Sequence, residues 1–256
     1  MKLSASLWNA ALNRRVLRKW RKAAVYAADA PLSALRAQRQ TARELKRHLD
    51  QFAFVADGRL ALPLIGAQAM QVPPDSDWSW RPEIWRGPQA RSGIAAVQNK
   101  TRFGNEATIF HDCVTSELAV RQLRNQRATD LSPYGLRLDV FHFDGSFLSV
   151  VIDLPKASVD GLRRRHIIRM DAKVEMEKPL EIFARLNIKH GPNTDQIVRE
   201  LPLNGSDIFV EFDLAYTKMN EKRVERMWVD LIFEDPQMNE IVVRDLTFSR
   251  QPRAEF

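Results

Sequence analysis

The apolar residues of this chain change period near residue 54, and that change limits its fold more than any other feature. Up to that point their spacing is helical. Beyond it, apolar and polar residues alternate over most of the chain, which is the pattern of half-buried strands. Charge follows the same division. Residues 1–50 hold twelve Lys/Arg against three acids, a balance of +9, while all 256 residues together come to +7. The remainder is close to neutral, with 27 basic and 29 acidic groups. The chain therefore reads as a basic amphipathic helical arm over 1–53 and a β-sandwich domain over 54–256.

In the arm, Ser4 or Ser6 caps a helix that runs to about Ala28, where Asp29-Ala30-Pro31 breaks it. At 100° per residue, Leu12, Val16, Leu17, Trp20, Ala23, Ala24 and Ala27 share one arc. Arg14, Arg15, Arg18, Lys19, Arg21 and Lys22 share the other, with Trp8 at the boundary. A second helix is expected over Leu32 to Phe52. There Leu35, Ala42 and Leu49 recur every seven residues, interleaved with Gln38, Leu45 and Phe52, a seam of under three heptads. No run of 18 apolar residues is present to span a membrane as a helix. The start, MKLSASLWNAAL, is too short in its apolar part for a signal peptide and is read as retained. The expected location is the cytoplasm, at most peripheral to the inner face of the membrane.

In the body, Asp57-Gly58 between FVA and RLALPLI suggests a hairpin. Residues 73–106 form a long irregular stretch broken by Pro and Gly, and carry three of the six tryptophans. LRLDVFHF and SFLSVVIDLP around Asp144-Gly145 read as a hairpin. So do IVRELPL and SDIFVEFDLAY around Asn204-Gly205, and WVDLIFE and IVVRDLTF around Asp235-Pro236. Residues 115–127 are expected as the one helix inside the body. Around eight strands without helical crossovers argue for a mainly β fold, an antiparallel jelly-roll-like sandwich preceded by the basic two-helix arm.

Few residues offer chemistry. The single cysteine, Cys113, excludes an internal disulfide and a multi-cysteine zinc site. His111 lies two residues before it, so a strand places both on one face. That is either a Cys–His nucleophile pair or a small buried thiol, and the second is the commoner outcome. His48, His142, His166 and His190 show no metal-ligand spacing, and neither a metal nor a cofactor is expected. Asp139, Asp153, Glu211, Asp213 and Asp230 fall on expected strands, where a solvated sheet face accounts for them. Ten glycines supply no phosphate-binding loop. No catalytic residue is assigned.

Two segments suggest binding. In WSWRPEIWR, Trp78, Trp80 and Trp85 offer rings for sugar faces and Arg81 a guanidinium for hydroxyls. The alternative is that these rings plug an open end of the sandwich. In the arm, Arg14, Arg15, Arg18, Lys19 and Lys22 with Trp8 and Trp20 suit an anionic membrane surface or a protein partner. A solvated helix packed by its apolar arc is the bland reading. Nucleic acid is disfavoured, because no DNA- or RNA-reading motif is present.

WSWRPEIWRG, TIFHDC, DGSFLSVVIDLP and WVDLIFEDPQMNEIVVRDLTFSRQPRAEF resemble an uncharacterised family of bacterial proteins known as a domain of unknown function. That resemblance implies no activity, cofactor or catalytic residue. The strand texture, with DGSFLSVVIDLP and the closing RDLTFSR, is also similar to galactose-binding-like β-sandwiches. The expected function is thus a non-enzymatic binding module with a glycan as ligand. The alternative is a structural or membrane-attachment protein acting through its N-terminal helices.

Overall fold

The computed structural model of the protein describes residues 2–64, 70–127, 129–203 and 208–253. It divides into two compact units, Met1–Ala53 and Phe54–Phe256. The first is helical. Helix α1 (Lys2–Val25) stops before Pro31, and α2 (Leu32–Leu64) starts directly after it. Proline suits that place because a helix start has no use for its missing N–H. The expected hairpin at Asp57-Gly58 is not formed, since α2 runs through both residues. A lone glycine weakens a helix by about 1 kcal/mol without ending it. Phe52, Ala56 and Leu60 keep helical spacing across it.

The second unit is a sandwich of two antiparallel sheets. The seven-stranded sheet has the order β11 (Ile208–Asp213), β8 (His166–Met176), β13 (Asn239–Pro252), β6 (Tyr134–Val140), β5 (Leu118–Arg124) and β2 (Gly93–Ile94). Short β1 (Trp78–Trp80) also pairs with β13. The six-stranded sheet has the order β10 (Asn193–Glu200), β9 (Ile182–His190), β12 (Val224–Phe233), β7 (Leu148–Asp153), β4 (Ala107–His111) and β3 (Thr101–Phe103). Their inner faces supply one core. Ile109, Val150, Leu186 and Val229 of the six-stranded sheet meet Leu138, Ile168, Ile241 and Phe248 of the other, all at most 1% exposed.

The three expected hairpins are corrected. β6 and β7 belong to different sheets, as do β10 and β11, and β12 and β13. The connections through Asp144-Gly145 and Asp235-Pro236 arch across the sandwich; the Asn204-Gly205 turn lies outside the described residues. The Asp144-Gly145 arch shows why no tight turn forms. Asp144 accepts from the backbone N–H of Val114, and Asp112 accepts from Ser146 N (2.7 Å) and Ser146 Oγ (2.6 Å). The Ser146 hydroxyl holds the Asp112 carboxyl below the usual range. A Cβ on Gly145 would stand 2.5 Å from Asp112 Oδ1 and 3.0 Å from Cys113 N. The loop is thus tied to its neighbour instead of closing on itself. Gly145→Ala is expected to lower the thermal midpoint of the body, while Gly161→Ala, with open space at its Cβ, loses only the conformational ease of a positive φ. Thermal melts of the two variants compare them.

The helix expected over residues 115–127 is also corrected. Residues 118–124 pair with β6 in continuous register from Leu118↔Val140 to Arg124↔Tyr134. Leu118 and Val120 are buried, so partner strands override a helix-compatible local sequence.

Candidate functional site

The tryptophan segment serves the architecture. Along β13, β6 departs after Val243 and β1 begins at Phe248, and a bulge follows Val243 on the β8 side. This leaves carbonyls of the strand without a ladder partner. Trp85, in the short helix α3 (Glu83–Arg86), fills the gap: its Nε1 donates to Val243 O at 2.8 Å and the side chain is wholly buried. Asn125 Nδ2 donates to Arg244 O at 2.9 Å beside it. Arg81 forms a two-pronged pair with Asp245, both contacts 2.8 Å, at 2% exposure. Trp78 and Trp80 are half-buried, stack at 6.5 Å, and pack against the core, Trp80 lying 5.9 Å from Phe248. As placed, Trp85 and Arg81 offer a ligand almost no surface. Parts of Trp78 and Trp80 remain open.

His111 and Cys113 do come together, but not as nucleophile and base. His111 Nε2 lies 2.8 Å from Val97 O, and its Nδ1 accepts from the Cys113 backbone N–H at 3.2 Å. Both ring nitrogens are therefore engaged away from the thiol. Burial pushes the Cys113 thiol up from its ordinary value, which disfavours the reactive thiolate. Alkylation of Cys113 is expected to be slower in the native protein than in denaturant. A faster native reaction would contradict this geometry.

Among the other histidines, His142 is exposed, while His166 and His190 are buried. His166 Nδ1 accepts from Arg163 N at 3.0 Å. Burial, and after it the Arg250 guanidinium, hold its pKa below 6.5. The unfolded chain then takes up a proton at a higher pH than the folded one. The stabilisation is full above about pH 6.5 and is lost as pH falls below it. His166→Asn is expected to flatten that part of the stability–pH curve, measured by urea unfolding. Among the described residues no three His, Cys, Asp or Glu side chains gather as a metal ion would need.

The outer face of the six-stranded sheet is different in kind. Register across β7, β12, β9 and β10 sets Asp153, Trp228, Asn187 and Gln196 in one row. The next row holds Thr108, Val151, Asp230, Arg185 and Val198, and the next Phe110, Ser149, Ile232 and Phe183. Trp228, Phe110 and Ile232 are half-buried and Phe147 is 42% exposed. They line a shallow open recess of about 510 Å³ with Arg185, Arg226 and Asp230. Asp230, expected as a solvated carboxylate, is 3% exposed. Arg185 reaches its Oδ2 through Nε and Nη2, both at 2.7 Å, and Asn187 Nδ2 at 3.1 Å. Its Oδ1 is buried with no hydrogen-bond partner among the described residues. Gln196 Nε2 donates to Asn187 Oδ1 at 2.8 Å, extending the network toward the sheet edge. The Arg226 guanidinium lies 4.6 Å from the Trp228 ring centre. The sequence signal for this face is the run WVDLIF, where Trp228 and Ile232 are apolar on the side opposite Val229, Leu231 and Phe233.

In the arm, Arg14, Arg15, Arg18, Lys19 and Lys22 are exposed on α1, Trp20 is half-buried, and Trp8 falls in the first half of the helix. No helix among the described residues is long and apolar enough to cross a membrane.

Comparison with solved structures finds distant similarity to carbohydrate-binding modules. The family 11 module from Clostridium thermocellum, solved with a β-1,3-1,4-mixed-linked tetrasaccharide, is 11% identical over 65% of this chain and 99% of its own, at a TM-score of 0.36. The C-terminal family 22 module of Clostridium thermocellum Xyn10B is 8% identical over 71% of this chain and 97% of its own, at 0.35. The enzymatically active domain of tailspike protein 4 from bacteriophage CBA120 is 12% identical over 60% of this chain, at 0.40, and the match spans only 21% of the tailspike chain. No curated protein matches the sequence. One family model does, from residue 1 to residue 256, arm and sandwich together. The chain belongs to the family of unknown function DUF6478.

Proposed function

We propose that the sandwich is a non-catalytic glycan-binding module whose contact surface is the outer face of the six-stranded sheet. The observation that carries this reading is Asp230, buried on that face with one oxygen held by Arg185 and Asn187 and the other lacking a donor. A buried acceptor left unpaired is costly, by about 1–3 kcal/mol, and a ligand hydroxyl satisfies it once a shift of the side chains around it opens that oxygen. Trp228 beside it gives the C–H face of a sugar ring an aromatic platform. Arg185, Gln196 and Asp153 supply the mixed donors and acceptors that hydroxyls need. Arg226 must rotate off Trp228 for stacking there, at a cost of about 0.5–1 kcal/mol for an exposed cation–π contact. The recess is open and runs across several strands, which suits an extended chain better than an enclosed small molecule.

Affinity electrophoresis of the intact chain through gels containing soluble polysaccharides tests this. Retardation by at least one neutral polysaccharide is expected. Unretarded migration through a broad panel, by protein shown to be folded, would remove the proposal.

A further inference from the structure

Among its described side chains the arm has no core of its own. No described side chain between residues 12 and 50 is buried. α1 and α2 line a recess between them, with Trp20, Ala23 and Tyr26 on one side and Ala37, Gln38 and Thr41 on the other. Much of the apolar surface stays in the open: Leu12 is 50% exposed, Leu17 67%, Leu49 64% and Phe52 73%. Helices of this kind draw most of their stability from burying an apolar face, and these leave it uncovered.

We infer that the arm docks on an anionic lipid bilayer, with the apolar arcs of both helices in the acyl–headgroup boundary and the basic arcs toward the headgroups. This surface is separate from the proposed glycan face and stands without it. Charge selects the occupant. Residues 1–50 carry a balance of +9, and Lys46–Asp50 is the one ion pair found among the described residues of the arm. A second copy brings the same positive charge against the first, which opposes self-association. Phosphates of a nucleic acid complement the charge but leave Leu17, Leu49 and Phe52 in water. A bilayer interface takes both arcs at once, and Lys/Arg density with a leucine-rich opposite face is what such binding requires.

The test is co-sedimentation of the intact chain with phosphatidylcholine vesicles, with and without phosphatidylserine. Binding is expected only to the phosphatidylserine vesicles and is expected to weaken as salt rises. Reversing Arg14→Glu, Arg15→Glu, Arg18→Glu and Lys22→Glu together should weaken it by roughly 100-fold or more. Leu17→Ser with Leu49→Ser should weaken it while leaving the net charge unchanged. All these positions are exposed, so the thermal midpoint of the sandwich should not move, and that melt is the folding control. Equal binding to both vesicle types would overturn the inference. So would a charge-reversed variant that binds like the parent, stronger binding to duplex DNA than to the anionic vesicles, or a stable dimer by light scattering that ignores vesicles.

Discussion

Trp85→Ala is expected to be the most destabilising single change in the sandwich, lowering its unfolding free energy by about 3–5 kcal/mol. The ring is wholly buried in the gap that β13 leaves between β6 and β1. Its removal opens a cavity and also deprives Val243 O of the donor at 2.8 Å. Trp85→Phe separates the two losses. It keeps much of the volume and forfeits the indole N–H, so about 1–3 kcal/mol of the cost should remain. Trp78→Ala should cost less than Trp85→Ala, because that ring is only half-buried. Denaturant unfolding of the three variants at neutral pH ranks them. A Trp85→Ala protein as stable as the parent would show that α3 is not part of the fold.

The second large effect concerns binding. Trp228→Ala is expected to weaken any polysaccharide interaction by about 10–100-fold, the loss of a stacking platform and the area it covers. Stability should change far less than in Trp85→Ala, since Trp228 stands on the outer face and takes no part in the core. Asp230→Asn tests the same face by a different route. It retains an acceptor oxygen but removes the charge that Arg185 answers at 2.7 Å, so affinity should fall and the Arg185 guanidinium should loosen. A glycan affinity untouched by both substitutions would move the contact surface elsewhere, with Trp78 and Trp80 the next residues to change.

The class of fold was legible because it depends on period and turn residues, which are local. IVVRDLTF and LEIFARLNIK alternate plainly, and both are strands. Which strands pair was not legible. Asp144-Gly145 and Asp235-Pro236 end strands, yet a chain leaving such a turn crosses to the facing sheet as readily as it returns to its own. Ser146 bonding to Asp112, from a loop 34 residues away, settles the first case. The helical reading of residues 115–127 failed for a related cause, because pairing with β6 and β2 makes Leu118–Arg124 extended. The candidate site was hidden in the same way. Asp230 and Trp228 sit in a strand whose inner face accounts for most of its hydrophobicity, and the two rows joining them to Asp153, Asn187 and Arg185 span three strands distant in sequence. The WSWRPEIWR cluster drew attention by composition alone, while its buried tryptophan and arginine close a gap in the sheet.

A glycan-array screen of the intact chain beside its Trp228→Ala and Trp78→Ala variants tests the glycan-binding face most directly. The expected result is a reproducible set of hits for the parent, kept by Trp78→Ala and lost by Trp228→Ala. Hits kept by Trp228→Ala and lost by Trp78→Ala, or no hit from folded protein, would contradict it.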